Sequence, residues 1–337
     1  MKKKVLIGMS GGVDSSVAAH LLMRDYDVVG TTLLLCGNDD SDAREVAKKL
    51  GIKHFSHDAR EEFETHIIKN FTSEYLSART PNPCILCNYH IKFSLMLRLA
   101  DEIGADYIAT GHYARLGEFE GELFPERALF DEKDQTYALC RLKQWQLRRA
   151  LFPLGDIPKT EVREIARSLG LSVAEKSDSQ DICFIPDGDY AKYIEDRFGP
   201  QPRGRFRGPH GEDLGEHKGL IHYTVGQRRG LGIPYSERIF VSRLDREKNE
   251  VILGLEGSQS KSKVIARDFS FISEKQMPES FAASAKIRYN QKASPATVTR
   301  DGDRVIAEFS KPQRGVSPGQ SLVLYDGDRV IGGGLIE

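Results

Sequence analysis

The chain has 337 residues, 39% of them hydrophobic and 29% charged, the balance of a globular protein large enough for two or three domains and a sizeable buried core. The net charge is −1, so a polyanionic partner would have to be held by local basic patches, and no apolar run reaches the roughly 18 residues that a membrane-spanning helix requires. Five cysteines, an odd number, do not make a disulfide scaffold. Without an export signal they point to a reducing cytoplasm, where clustered cysteines serve catalysis or metal binding.

Met1-Lys2-Lys3-Lys4 followed by Val5-Leu6-Ile7-Gly8-Met9 has the look of a signal peptide, but the apolar stretch is short and runs into a glycine turn. It reads as a first β-strand. Val5–Met9, Val28–Leu35 and Tyr107–Thr110 are near-continuous apolar runs, as expected of strands buried on both faces of a parallel sheet. Between them, Ser15–Arg24, Ala43–Leu50 and Ile91–Ile103 carry helical periodicity, which continues through Gln144–Leu151, Lys159–Leu169 and Tyr190–Arg197. The alternation predicts a doubly wound α/β sheet over residues 1–198. Gly199-Pro200-Gln201-Pro202-Arg203-Gly204 marks a boundary. Beyond it, Ile239–Leu244, Glu250–Leu255, Val264–Ile272, Ala296–Thr299, Val305–Phe309 and Ser321–Tyr325 read as short strands. They predict a small β-rich domain over 199–260 and a β-barrel over 261–337.

Ser10-Gly11-Gly12-Val13-Asp14-Ser15-Ser16 follows the first strand and opens a helix. Glycines there let backbone amides approach an anion, and the helix N-terminus adds favourable partial charge. No lysine is present, so this is not the G-x-x-x-x-G-K-[ST] loop. It resembles the SGGxDS signature of the pyrophosphatase-type loop, whose enzymes split ATP between the α- and β-phosphates and adenylate a substrate. The resemblance implies ATP held by Gly8, Met9, Ser10, Gly11, Gly12, Val13, Asp14 and Ser15, with Asp14 on Mg2+ or the pyrophosphate. Leu33 and Gly111 match positions that contact the adenosine.

Cys36 and Cys140 lie in apolar surroundings and read as small core residues. Pro81-Asn82-Pro83-Cys84-Ile85-Leu86-Cys87-Asn88 is a loop before a helix with Arg79 and Lys92 nearby, a setting that predicts lowered thiol pKa values. Cys183 sits in a polar run, Lys176-Ser177-Asp178-Ser179-Gln180-Asp181-Ile182-Cys183-Phe184-Ile185-Pro186.

Asn82-Pro83-x-x-x-Cys87-Asn88, Ala109-Thr110-Gly111-His112-Tyr113, Lys133-Asp134-Gln135, Phe152-Pro153-Leu154-Gly155, the Ser177–Ile185 run, Tyr223-Thr224-x-Gly226-Gln227-Arg228-Arg229-Gly230-Leu231 and Ser317-Pro318-Gly319-Gln320 together resemble the tRNA 2-thiouridylases, in family order over nearly the whole chain. The resemblance implies a cytoplasmic tRNA-uridine 2-sulfurtransferase. It would adenylate the C2 oxygen of the wobble uridine and let sulfur displace AMP. Cys183 would carry a persulfide loaded by a sulfur-donor protein or sulfide, and Cys87 would release the sulfur through a transient Cys87–Cys183 disulfide. Where many members carry Asp, this chain has Cys84. Cys84, Cys87 and Cys183 could therefore instead ligate a [4Fe-4S] cluster with one open iron, and both mechanisms stay open. Asn82, Pro83 and Cys84 would frame the target base. His112, Lys133, Asp134, Gln135, Arg288, Tyr289 and Gln320 would face the anticodon arm of tRNA. The basic stretches Arg141–Arg149, Arg203–Arg207, Arg228-Arg229 and Lys286–Tyr289 could reach phosphates. A rival reading is another pyrophosphatase-loop enzyme, an amide ligase or tRNA-lysidine synthetase, which would not need the thiols.

Overall fold

Val5, Leu6 and Ile7 have no exposed surface, and their side chains alternate between two separate cores, Leu6 in one, Val5 and Ile7 in the other. A strand buried on both faces has to sit centrally in a sheet covered by helices. The computed structural model, which describes residues 2–176 and 182–337, places it there. Strands β1 (Lys4–Gly8), β2 (Asp27–Leu34), β3 (Lys53–Asp58) and β4 (Tyr107–Ala109) are followed by a hairpin, β5 (Ala114–Phe119) and β6 (Glu122–Arg127), and by β7 (Ala150–Leu151). The first sheet has the order β3-β2-β1-β4-β7, and every pairing in it is parallel. The chain winds outward from β1 to β3 and then crosses back to β4. The crevice between the C-terminal ends of β1 and β4 is thus the switch point where doubly wound sheets bind ligands.

The second sheet, β10-β11-β8-β9, is built from β8 (Gly204–Arg207), β9 (Asp213–His217), β10 (Ile239–Asp245) and β11 (Glu250–Leu255) around a small core that includes Phe206, Val241 and Val251. In the third, β12 (Ser260–Phe271), β13 (Ser280–Lys286), β14 (Ser294–Asp301), β15 (Arg304–Arg314), β16 (Ser321–Asp326) and β17 (Arg329–Ile336) run in the order β12-β15-β14-β13-β16-β17. The β12–β17 pairing closes them into an antiparallel barrel and leaves no open edge among the six. The hairpin β5–β6 is added to this sheet through β17, and Arg127 N donates to Asp328 O at 3.0 Å.

Two details depart from the periodicity. Gln144–Leu151 divides into a single helical turn, Gln144–Leu147, and the strand β7. Gln144 and Gln146 turn inward instead of facing water: Gln144 bridges Leu123 N and O, and Gln146 holds Lys143 N and Tyr89 O. Released from the helix, Ala150 and Leu151 pair with Ile108 and Ala109. Cys140 is fully buried, but Cys36, at the exit of β2, is only half-buried. Among the described residues no helix is long and apolar enough to cross a membrane.

Candidate active site

The first helix, Val13–Leu22, starts at the switch point. Gly12 precedes it in extended conformation, and among the described residues no side chain caps it. Its first amides therefore remain available to an anion. Gly11 has φ +71°, and a Cβ there would lie 2.7 Å from Asp42 Cβ, so only glycine fits the turn. Ser15 Oγ accepts from Ser10 N at 3.2 Å and donates to Gly12 O, which ties the loop into a ring. Met9 is held by Thr31 O and by the Thr32 hydroxyl. Gly111, at the end of β4, closes the crevice from the other side: a Cβ there would sit 2.8 Å from Ser15 N and 2.9 Å from Asp14 C. Leu33 is half-buried on β2 against the main core. Gly8 packs against Met96, with room of 3.1 Å between a built Cβ and the Met96 sulfur.

Asp14 stands in the first turn of that helix. Tyr113 donates its hydroxyl proton to Asp14 Oδ1 at 2.7 Å, and Lys159 Nζ lies 2.7 and 2.9 Å from the two carboxylate oxygens. Lys159 is absent from the sequence-derived site. The one local hint is its position as first residue of the helix Lys159–Ser168, where the helix dipole disfavours a cation.

The thiols gather around Lys92, whose charge also reaches His112, the neighbour of Gly111. Asn82 accepts from Cys84 N at 3.1 Å and caps the five-residue helix Pro83–Cys87. Arg79, expected to act on the thiols, is committed to Glu74 through two hydrogen bonds of 2.6 and 2.7 Å. Cys87 is buried, while Cys84 and Cys183 are exposed as residues. The thiol pKa values are raised, not lowered. Burial is the largest cause at all three and pushes Cys87 up to about 12, with Lys92 as the opposing cation. The helix is too short, and its end too thoroughly capped, to offset desolvation. Cys84 and Cys183 keep solvent-exposed surface even though burial raises both thiols. Cys87 feels the charges of Cys183 and Cys84, and Cys183 feels those of Cys84 and Cys36, so one site gathers four thiols into electrostatic reach. Ser177–Asp181, the polar part of the Cys183 motif, lies outside the described residues.

Among the described residues no three His, Cys, Asp or Glu side chains group closely enough to hold a metal ion. As placed, Cys84, Cys87 and Cys183 do not form the ligand set of an iron–sulfur cluster.

The residues assigned to tRNA are placed unequally. Tyr289 is exposed at 39%, donates its hydroxyl proton to Asp134 O at 3.2 Å, and lies near enough to Cys84 to feel its charge. The Pro83 ring is buried. His112 is buried, shares a 2.8 Å hydrogen bond with Thr110 Oγ1, and is held neutral by burial, with Lys92 acting in the same direction. Asp134 accepts from the Thr136 hydroxyl at 2.8 Å, and Gln135 accepts from Tyr113 N at 2.9 Å. Lys133 is half-buried beside them. Arg288 donates to Val225 O and Gly315 O, which fastens the barrel to the middle domain. Gln320 donates to Thr80 O at 2.8 Å, and Thr80 N donates to Pro318 O at 2.8 Å, so the Ser317–Gln320 turn props the loop that leads to Asn82. Several of these side chains thus build the site's walls instead of facing outward. Of the basic stretches, Arg205 and Arg207 are paired with Asp213 and Glu250, and Arg149 with Asp101.

Three family models match in succession: a tRNA methyl transferase HUP domain over residues 3–187, a tRNA methyl transferase PRC-barrel domain over 191–255, and an aminomethyltransferase beta-barrel domain over 261–336. The tRNA-specific 2-thiouridylase of Clostridioides difficile is 46% identical over 100% of this chain and 99% of its own length. That of Clostridium acetobutylicum is 45% identical, with all of both chains covered. The chain belongs to the tRNA-specific 2-thiouridylase family. A second thiouridylase of Clostridium tetani agrees at 44% identity over 100% of this chain and 99% of its length. Membership gives no support to an amide ligase or tRNA-lysidine synthetase.

Proposed function

We propose that the protein is a cytoplasmic, ATP-dependent tRNA sulfurtransferase that installs sulfur at C2 of the wobble uridine. The observation that carries the reading is the pyrophosphatase-type loop at the switch point of the sheet, ahead of a helix that no described side chain caps, in a chain that also brings Cys84, Cys87 and Cys183 within electrostatic reach of one another. ATP binds with its phosphates on the Gly11–Ser15 amides and its adenosine between Leu33 and Gly111. Mg2+ fits here: it takes one or two carboxylates together with substrate phosphates, and Asp14 is the carboxylate at the loop. When bound, it would neutralise the phosphate charge.

The uridine leaves its stack to reach this crevice, framed by Asn82, Pro83 and Cys84 and flanked by Tyr289. Attack of its C2 oxygen on the α-phosphorus expels pyrophosphate and makes AMP the leaving group. The Cys183 persulfide, loaded by a donor, attacks C2 and releases AMP. Cys87 then attacks Cys183 Sγ, which frees the 2-thio base and leaves a Cys87–Cys183 disulfide for an external thiol to reduce. The thiols as placed do not group as cluster ligands, so the steps written here follow the persulfide route. The division of labour follows three units, 1–198 for chemistry, 199–260 as a spacer and 261–337 for gripping the anticodon arm.

The test is nucleoside analysis of tRNA after incubation with protein, ATP, Mg2+ and a persulfide donor. Expected is 2-thiouridine at the wobble position with one AMP and one pyrophosphate per sulfur. The reading fails if AMP forms without thiolated nucleoside. Anaerobic purification with iron analysis separates the mechanisms, since an iron-free, colourless and active protein leaves the persulfide route alone.

A further inference from the structure

Lys159 is 13% exposed, yet it heads a ten-residue helix, the end at which the helix dipole repels a cation. Its ammonium spans both oxygens of Asp14, itself in the first turn of another ten-residue helix, and lies 5.8 Å from the centre of the Tyr113 ring. Lys159, at the head of one helix, therefore meets a carboxylate in the first turn of another, beside the open amides of the glycine loop. Such an arrangement is a poor source of stability, because desolvating both ions offsets their attraction. It is well suited to an incoming polyanion, which the ammonium and the loop amides would meet together.

We propose that Lys159 is the cation that receives the pyrophosphate half of ATP, and that its pairing with Asp14 is the resting state it leaves when the nucleotide arrives. The proposal rests on the ATP-cleaving reading of the loop. Magnesium and the ammonium compete for one carboxylate. With Mg2+ held by Asp14, Lys159 would turn its ammonium onto the β- and γ-phosphate oxygens. Charge that builds on the departing pyrophosphate then has a fixed counter-ion within a walled site. Tyr113 keeps its hydroxyl on Asp14 and holds that carboxylate in place during the exchange. AMP, which lacks both outer phosphates, gains nothing from Lys159.

The experiment compares wild type with Lys159→Met and Lys159→Arg in the full-length protein. Calorimetry follows binding of inorganic pyrophosphate, α,β-methylene ATP and AMP in the presence of Mg2+. Lys159→Met should bind pyrophosphate and the ATP analogue about 10- to 100-fold more weakly with AMP affinity within about twofold of wild type, and Lys159→Arg should recover most of the loss. In wild type, pyrophosphate but not AMP should protect Lys159 from acylation, read by peptide mass spectrometry, a measurement that does not depend on any variant folding. Unchanged pyrophosphate affinity, or an equal loss for AMP and the ATP analogue, overturns the assignment and leaves Lys159 as a support for Asp14. If wild type itself binds neither pyrophosphate nor the analogue, the ATP reading falls with it; if wild type binds both and Lys159→Met does too, only this proposal falls.

Discussion

Cys87 should behave as a stored thiol and not as a standing thiolate. Burial pushes it up to about 12 from an ordinary value of 9.0. At pH 8 that leaves about a thousandfold less thiolate than in the unfolded chain. The rarer thiolate is intrinsically the stronger nucleophile, by about 16- to 32-fold for three pKa units at a Brønsted slope of 0.4–0.5. Alkylation of Cys87 by iodoacetamide in the folded protein should therefore run about 30- to 60-fold slower than in guanidinium, before any added steric protection. Peptide-resolved mass spectrometry over a time course at several pH values measures this directly. In the unfolded chain the rate should level off above pH 9, while in the folded protein it should keep rising about tenfold per pH unit through pH 10. A folded-state rate equal to the unfolded one at pH 8, or a plateau near pH 9, would refute the burial argument.

Three further outcomes follow from the same geometry. Lys92→Met removes the cation that opposes burial at Cys84, Cys87 and Cys183, so sulfur transfer should slow at pH 8 and recover at higher pH, with ATP binding unchanged; a vertical drop with no shift of the pH–rate profile would count against it. Gly319→Ala places a Cβ 2.9 Å from Thr80 N at φ +89°, so it should cost about 1–3 kcal/mol in denaturant unfolding and impair sulfur transfer more than pyrophosphate binding. His112 is held neutral when folded, whereas in the unfolded chain it titrates near its ordinary 6.5. The unfolded state gains a proton as pH falls below that value, so stability is lost there at up to about 1.4 kcal/mol per pH unit. His112→Gln should flatten the decline in unfolding midpoint between pH 7 and 5, and an unchanged slope would exclude His112 as its source.

What the sequence disclosed was whatever is local. Val5-Leu6-Ile7 announces a central strand because burial on both faces demands an unbroken apolar run, and the glycines after it announce a turn that backbone geometry alone dictates. β3, Lys53–Asp58, stayed hidden because it is an edge strand whose half-buried residues alternate too weakly to read. The hairpin β5–β6 stayed hidden because its partner β17 comes some two hundred residues later. The thiols were found by motif, but their ionisation was read with the wrong sign. Arg79 and Lys92 are visible in sequence, whereas the walls around Cys87 and the prior claim of Glu74 on Arg79 are not. Lys159 was missed for the same reason, since its meaning lies in Asp14, 145 positions away.

The seam between β6 and β17 also bears on how the molecule is made. During synthesis the α/β half emerges with its hairpin edge unpaired, and the strand that covers that edge, Arg329–Ile336, follows about two hundred residues later. The β12–β17 pairing that closes the barrel waits for the same residues. One strand therefore completes two structures at once, and without it the edges of β6, β12 and β16 are all exposed to neighbours. Such a seam acts as a quality gate: only a chain that carries Arg329–Ile336 hides these edges, and the same barrel sets its Ser317–Gln320 turn beneath the thiol loop.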